Sequence, residues 1–196
     1  MSLYFYIVLM LCKNLYNLFS LINHKKMKKL NRIYIVGPQG SGKSTIANLL
    51  AKKIKTKNYD LDDIIKDKYG KRRNDSELKN MLSVVTARKK WVIEGIFGGW
   101  TAKAFEKSDL IILLNLNYNI LVANLIKRYY KSKFTDNKRG INLKTTWKLI
   151  KHVKLYRTRY HPKSYAGHME LINKYKSKFI EIKTRKDLED FLDTLK

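Results

Sequence analysis

Cysteine is almost absent from this sequence, since Cys12 is the only one among 196 residues. A single cysteine excludes an internal disulfide framework and is typical of a protein in a reducing compartment. The four histidines are scattered, and neither they nor Cys12 show the short spacings of a structural zinc site. A fold held together by disulfides or by a structural metal is therefore not expected.

Acidic residues are also scarce: 16 of them stand against 42 lysines and arginines, which gives a formal net charge of +26. Such an excess indicates an anionic partner, whether a nucleotide, a nucleic acid or membrane headgroups. The excess is uneven, because residues 127–163 contain 13 basic residues and a single acidic one, Asp136. A general enrichment of the chain in lysine explains the charge equally well, and the composition leaves both explanations open.

The first 26 residues differ in composition from the rest of the chain. Residues 3–12 are almost entirely apolar, and a second apolar stretch follows Lys13 and ends at Ile22. A secretory signal has its positive charges before the apolar run, whereas here lysines follow it, so a domain after this leader is expected in the cytoplasm. Three interpretations stay open: a weak anchor in residues 1–22 at the inner face of a membrane, a non-native leader before Met27, or a helix packed on the domain.

The most specific signal is a run of eight residues, Gly37 to Ser44, that fits the pattern G-x-x-x-x-G-K-[ST] of a phosphate-binding loop, or P-loop. It lies between an apolar run, Ile33 to Val36, that predicts a strand and a periodic pattern that predicts a helix from Lys43 to about Lys53. Glycines let successive backbone N–H groups point inwards, and the helix directs the positive end of its dipole at the same point. We therefore expect ATP, or another nucleoside triphosphate, to bind here with Mg²⁺. The residues expected to bind it are Gly37, Pro38, Gln39, Gly40, Ser41, Gly42, Lys43, Ser44 and Thr45.

Three acidic residues are predicted to complete the site. Asp60 lies in a predicted strand, Lys57 to Leu61, and Asp62 directly follows it. Their spacing places both carboxylates on one face of an extended segment. We expect Asp62 to orient or deprotonate an acceptor hydroxyl and Asp60 to hold Mg²⁺ through water. Glu94 follows the apolar run Trp91 to Ile93 and is a second candidate for water-mediated support of Mg²⁺, whose direct protein ligand would be the Ser44 hydroxyl. The alternative for these acids is an ordinary acidic turn at a strand end.

The transferring phosphoryl group also needs positive charge around it. Arg128 and Arg139 flank a polar stretch, Lys131 to Gly140, that is typical of a mobile lid. Arg157 and Arg159 on the following helix are further candidates, although an arginine in so basic a region is often simply solvated. The predicted catalytic residues are Lys43, Asp62, Arg128 and Arg139.

Strands alternate with helices along the rest of the chain, which indicates an α/β fold with a parallel sheet and helices on both faces. Ligands of such sheets bind at the carboxyl ends of the strands. The predicted domains are the leader, 1–26, and a single P-loop domain, 27–196. The further predicted elements are strands at Leu110–Leu114 and Phe179–Ile182, short helices within 63–89, and helices at 118–131, 142–160 and after Thr184.

The order of these motifs resembles that of adenylate kinase-like P-loop kinases. The shared features are the P-loop, Leu61-Asp62 after the second strand, Trp91 to Gly95 after the third, and an arginine-bearing helix. The closest resemblance is to the subgroup known as DNA topology modulation proteins, which are small nucleotide kinases. In that subgroup Trp147 and Tyr156 match an aromatic, arginine-rich helix.

The resemblance implies a three-layer P-loop sandwich with a five-stranded parallel sheet in the order 2-3-1-4-5. It also implies a helical lid and an acceptor-binding region at about residues 61–90. After Gly95 the chain departs from true adenylate kinases, because Ile-Phe-Gly-Gly-Trp lacks their Phe-Pro-Arg. AMP is therefore not the expected acceptor.

Two functions compete on this evidence. The first is an ATP-dependent kinase that transfers the γ-phosphate to a small hydroxyl or phosphate acceptor, in particular a nucleoside or nucleotide. The second is a nucleic-acid-associated NTPase or a polynucleotide 5′-hydroxyl kinase, which the net charge favours. The predicted helix at 142–160 bears on the choice, because aromatic residues on its core side cannot stack on bases. The residues predicted on that side are Leu143, Trp147, Ile150, Val153 and Tyr156, with Lys144, Lys148, Lys151 and Arg159 opposite.

Overall fold

The computed structural model describes residues 30–96, 99–134, 141–161, 163–173 and 178–194, without the side chain of Leu171. The predicted leader and the boundary at residue 27 lie outside these ranges and stay predictions. Within the described ranges, no helix is both long enough and apolar enough to cross a membrane.

The chain divides into two compact units. One comprises residues 31–184, and the other residues 1–30 together with 185–196. In the second unit the described elements amount to one amphipathic helix at the end of the chain, which confirms the predicted closing helix. All other described strands and helices belong to the unit of residues 31–184.

A five-stranded sheet forms the centre of the larger unit, in the order β2-β3-β1-β4-β5 that the resemblance implied. Every neighbouring pair of strands is parallel. All residues of β4 are buried, which requires cover on both faces of the sheet. The strands are β1 (Arg32–Val36), β2 (Asn58–Asp60), β3 (Trp91–Glu94), β4 (Leu110–Leu114) and β5 (Phe179–Ile182).

Helices follow the strands in the alternation that the sequence predicts. The helices are α1 (Lys43–Lys53), α2 (Leu61–Ile65), α3 (Asp75–Thr86), α4 (Ala102–Lys107), α5 (Tyr118–Lys133), α6 (Leu143–Thr158), α7 (Tyr165–Asn173) and, in the second unit, α8 (Arg185–Asp193). A 3₁₀ turn, Gly99–Thr101, leads into α4.

Two helices were not predicted, α4 and α7. Helix α4 has only six residues and buries only Ala104 and Phe105, which is too little for a periodic pattern. Helix α7 buries Ile172 and, one turn earlier, the polar residue His168. Because His168 is polar, a search for periodically spaced apolar residues does not detect this helix.

The orientation of α6 corrects another prediction. Trp147 and Leu143, predicted on the core side, are 58% and 68% exposed. Val153 and Tyr156 are buried as predicted, and Thr146 is buried with them. Thr146 can be buried at little cost because its hydroxyl donates a hydrogen bond to the Asn142 carbonyl, at 2.9 Å. The buried face of α6 is therefore rotated towards Thr146 relative to the predicted one.

The sheet brings four sequence-distant positions to one edge. Gly37 follows β1, Asp60 ends β2, Glu94 ends β3 and Asn115 follows β4. Because all strands are parallel, these carboxyl ends lie side by side at the edge where such sheets bind ligands.

Candidate active site

The P-loop backbone approaches its neighbours closely. Gly40 has φ +78°, and a Cβ at this position would lie 2.6 Å from the carbonyl oxygen of Leu121 in α5. Gly42 is also left-handed, with φ 84°, and serves as the N-cap of α1 without any side-chain cap. The first N–H groups of α1 therefore have neither an intrahelical nor a side-chain acceptor, which leaves them for an anion.

The side chain of Lys43 is hydrogen-bonded to the loop itself. Its Nζ donates a hydrogen bond to the Pro38 carbonyl at 2.9 Å, and the Ser41 hydroxyl donates to the same carbonyl at 2.8 Å. Burial lowers the pKa of Lys43, which means that the folded chain holds this ammonium in a poorly hydrated place. A phosphate oxygen would compensate the ammonium better than a neutral carbonyl does.

The predicted acids converge on Lys43. Glu94, Asp62 and Asp60 each raise its pKa by their negative charge, in that order of size, and so oppose the effect of burial. The structure thus brings together four residues that are separated by up to 51 positions in the sequence.

Asp60 and Asp62 differ in their local geometry from the prediction. The strand is shorter than expected, and Asp60 is both its last residue and the N-cap of α2. Its Oδ1 accepts a hydrogen bond from the Asp62 N–H at 2.8 Å, so Asp62 belongs to the first turn of a helix and not to an extended segment. The acids therefore cap a helix and also face the loop, which combines the two alternatives considered from the sequence.

Two contacts fix α2 in place. A Cβ on Gly95 would lie 2.7 Å from the Cβ of Leu61, so only glycine allows this approach of the chain after β3. The Arg73 guanidinium donates hydrogen bonds to the carbonyls of Ile64 and Lys66 at the end of α2. Asp62 is thereby attached to a short helix that is held at both of its ends.

Glu94 is the most buried acid of the site, with 2% of its surface exposed. Burial raises its pKa, and a hydrogen bond with the Ser44 hydroxyl opposes that shift. Its Oε1 is buried and has no hydrogen-bond partner among the described residues. A buried carboxylate oxygen without a partner is costly unless a cation compensates it.

These residues fit the predicted magnesium site. The donors are oxygen atoms of a hydroxyl, Ser44, and of two carboxylates, Glu94 and Asp60, which is the set that Mg²⁺ prefers. The described residues contain no cluster of three or more histidine, cysteine, aspartate or glutamate side chains that could hold a metal. The few protein ligands are consistent with an ion held jointly by one hydroxyl, phosphate oxygens and water.

Helix α5 is attached to the P-loop by a residue that sequence reasoning missed. The Asn124 side chain donates a hydrogen bond to the Gly40 carbonyl at 2.8 Å. Arg128 lies one turn further along the same helix face, and its charge lowers the pKa of Lys43. The role of Arg128 at the phosphate site stays a prediction, whereas Asn124 had no sequence signal because its contact depends on how α5 docks.

The other candidate arginines have different positions. Arg157 reaches the carboxyl end of β4, where its Nη2 donates to Asn115 Oδ1 and to the Leu116 carbonyl, each at 2.9 Å. It therefore supports the turn before α5. Arg159 is exposed at the end of α6. Arg139 and residues 135–140 of the predicted lid lie outside the described residues, whereas Lys131 to Lys133 continue α5.

A buried histidine near the site was also missed. His168 is 1% exposed, and its Nδ1 lies 2.9 Å from the Tyr156 hydroxyl. Burial, together with the positive charge of Lys43, lowers the pKa of His168 to about 4. The imidazole is therefore neutral near pH 7, and its contact with Tyr156 links α6 to α7.

Known proteins that are similar in sequence match the segment of the chain that contains most of the P-loop and the acids Asp60 and Asp62. The profile of the family described as "Shikimate kinase" matches residues 39–78, which include the P-loop from Gln39 onwards, β2 and α2. The shikimate kinase of Legionella pneumophila (strain Corby) is 45% identical over 42 residues, which make up 21% of this chain and 24% of that protein. The shikimate kinase of Sulfurihydrogenibium sp. is 44% identical over 46 residues, 24% of this chain and 28% of that protein. The matched segment thus spans about a quarter of the length of these relatives.

The whole fold also has a counterpart among solved structures. The shikimate kinase from Acinetobacter baumannii, in complex with shikimate, matches with a TM-score of 0.52 and 19% identity. The match covers 88% of this chain and 96% of that one. At this identity the likeness establishes the fold alone, which is the parallel sheet with helices on both faces that the sequence predicts. The matches support the predicted P-loop phosphotransferase class with ATP and Mg²⁺, but not the closer assignment to the DNA topology modulation subgroup, which relied on short motifs.

Replacing Glu94 by glutamine tests the magnesium site without requiring any activity. The pKa of Glu94 is raised above its ordinary value of 4.5, so the folded chain binds this proton more tightly than the unfolded chain. Stability is therefore lost as the pH rises above 4.5 through the folded pKa. Without Mg²⁺, Glu94→Gln should melt higher than the wild type at pH 7 and lose that advantage near pH 4.

The same melting curves, repeated with Mg²⁺ and a non-hydrolysable ATP analogue, measure metal binding. We expect the variant to bind Mg²⁺ about 10–100-fold more weakly, because a carboxylate that supports the ion is lost. Asp63→Asn, an exposed neighbour of Asp62, is the control and should respond like the wild type. An Mg²⁺-dependent shift that Glu94→Gln retains in full would exclude this carboxylate from the metal site.

Proposed function

We propose that the protein is an ATP-dependent kinase that transfers the γ-phosphate to a hydroxyl group of a small molecule. The observation that carries this proposal is the convergence of Lys43 and Arg128 with three acids at the open end of the P-loop. A loop that only binds nucleotide needs the cations and a metal ligand, but it does not need an additional carboxylate, Asp62, on a separate helix. Asp62 therefore points to an acceptor.

Different residues of the chain would bind the phosphates and the metal ion. The N–H groups at the start of α1 and the Lys43 ammonium bind the β and γ phosphates. Ser44, with Glu94 and Asp60 behind it, would hold Mg²⁺. When bound, Mg²⁺ neutralises the charge that develops on the β and γ phosphate oxygens.

Asp62 acts on the acceptor. Its carboxylate accepts a hydrogen bond from the acceptor hydroxyl and takes the proton as the hydroxyl oxygen bonds to the γ-phosphorus. The bond between that phosphorus and the β–γ bridging oxygen breaks, and ADP leaves. Arg128 and Lys43 stabilise the negative charge on the transferring group during this step.

The acceptor is proposed to be a small compound with several hydroxyl groups. The segment similar to shikimate kinases, residues 39–78, extends beyond the P-loop through α2 and into the start of α3. It therefore includes much of the acceptor-binding region, 61–90, expected from the sequence. Shikimate is accordingly the first compound to test, and nucleosides and nucleotides are the second class.

An acceptor screen tests the proposed activity directly. ADP release is measured for the full chain with ATP and Mg²⁺, alone and with shikimate, nucleosides, nucleotides and sugars. We expect slow hydrolysis of ATP alone and a clear acceleration by one class of small acceptor, because binding of the acceptor excludes water. Stimulation only by DNA or RNA would contradict a small-molecule kinase, and Lys43→Ala provides the background rate.

Asp62→Asn tests the role of the acceptor base. Removing the carboxylate should lower kcat by about 10²–10⁴-fold, the usual contribution of a general base, with little change in the KM for ATP. Asp63→Asn is the matched control, since it removes an exposed carboxylate from the next position in the same helical turn. Equal rates for the two variants would show that Asp62 does not act on the acceptor.

Arg128→Gln tests the cation beside the phosphates. We expect kcat to fall by about 10²–10³-fold, because a preorganised donor to the transition state is lost. Lys127→Gln removes a charge from the adjacent exposed position and should have an effect of less than about threefold. A similar loss in both variants would indicate that only the general charge of α5 matters.

A further inference from the structure

One face of α6 exposes a tryptophan among lysines. The spacing of positions 143, 144, 147, 151 and 154 places all five residues on one side of the helix. All five residues are exposed. We call this stripe the outer face of α6; it consists of Leu143, Lys144, Trp147, Lys151 and Lys154.

The outer face has uncompensated positive charge. Helix α6 contains four lysines and Arg157 but no acidic residue. Among the residues that the structure describes, no lysine of the outer face takes part in an ion pair, in contrast to Arg72, which pairs with Asp75 at 2.7 Å. Lysines that are free of protein partners can release counterions when they meet an anionic polymer.

Trp147 adds a flat apolar surface to these charges. Its exposure removes the objection that the aromatic residues of this helix face the core. Lys144 and Lys151 lie one turn before and after it, and Lys144 to Lys154 extends over roughly 15 Å of helix axis. Phosphate-binding cations on either side of an exposed ring are the arrangement with which proteins bind single strands: the cations follow the backbone, and a base stacks on the ring.

We propose that the outer face of α6 binds single-stranded nucleic acid without sequence preference. The proposal does not depend on the kinase activity, and the bound strand need not be the phosphate acceptor.

An anionic membrane is the less suitable partner. A helix that lies in a membrane interface buries a broad apolar face in the lipid. The apolar face of α6 is already used inside the protein, where Val153 and Tyr156 are buried. The apolar members of the outer face are Leu143 and Trp147, and Leu155 of α6 is a further apolar residue that is 45% exposed. These few side chains are enough for one stacked base but too few for insertion into a membrane.

Fluorescence anisotropy with a labelled dT20 oligonucleotide tests the proposal on the full chain, without ATP. Trp147→Ala should weaken binding by roughly 5- to 150-fold, the usual effect of losing one stacked base, and Trp147→Phe should restore most of it. Tyr69→Ala removes an aromatic residue that is 82% exposed elsewhere, and it should bind like the wild type. Circular dichroism confirms that each variant is folded.

Salt dependence tests the lysines separately. Changing Lys144, Lys151 and Lys154 together to glutamine should reduce the slope of log K against log salt by about 2, since each contact with a single strand contributes about 0.7. The matched control changes three exposed lysines elsewhere, Lys79, Lys89 and Lys103, and should leave the slope unaltered.

Three results would overturn the proposal. One is equal oligonucleotide binding by Trp147→Ala and Tyr69→Ala, which would mean that general charge suffices. Another is the same slope in both triple-lysine variants. The third is that Trp147→Ala abolishes binding to phosphatidylglycerol vesicles but not to the oligonucleotide, which would identify a membrane surface instead.

Discussion

The close approach of the P-loop backbone to helix α5 is the constraint on which the site depends. At Gly40 there is no room for a Cβ against Leu121, and the Gly40 carbonyl accepts a hydrogen bond from Asn124. The loop and the helix therefore have a single relative position. Arg128 lies one turn beyond Asn124 on α5, close enough to Lys43 for its charge to lower the pKa of Lys43. The position of α5 against the loop thus depends on one close backbone contact and one side-chain hydrogen bond.

The electrostatics of the site are incomplete without a ligand. Burial lowers the pKa of Lys43 and raises those of Glu94 and Asp60, so each charged group is held where its ionised form is poorly solvated. The mutual attraction of these groups offsets only part of that cost. A triphosphate with a divalent cation would supply the missing charges of both signs at once. Such a site gives up stability in the free protein for tight binding of the charged ligand.

Some of the site was predictable because its determinants are local. The P-loop is a contiguous motif, and its strand and helix follow directly from it. The acids at the ends of β2 and β3 were predictable because the carboxyl ends of parallel strands meet at one edge. Asn124 and His168 could not be found in this way, since their positions depend on how α5 and α7 pack. Trp147 was placed wrongly because a buried threonine, Thr146, can satisfy its hydroxyl within its own helix. Asp60 and Asp62 lie near Lys43, but their local geometry was predicted wrongly, because the N-cap of α2 ends the strand early.

The central claim is that the P-loop amides and Lys43 hold a polyphosphate while the neighbouring acids support its metal. A crystal structure of the protein with Mg²⁺ and a non-hydrolysable ATP analogue measures this directly. The account predicts β and γ phosphates within hydrogen-bond distance of the Lys43 Nζ and of the first N–H groups of α1, with Mg²⁺ on the Ser44 hydroxyl and Glu94 and Asp60 facing its water ligands. A triphosphate bound away from residues 37–45, or a metal remote from both carboxylates, would contradict it.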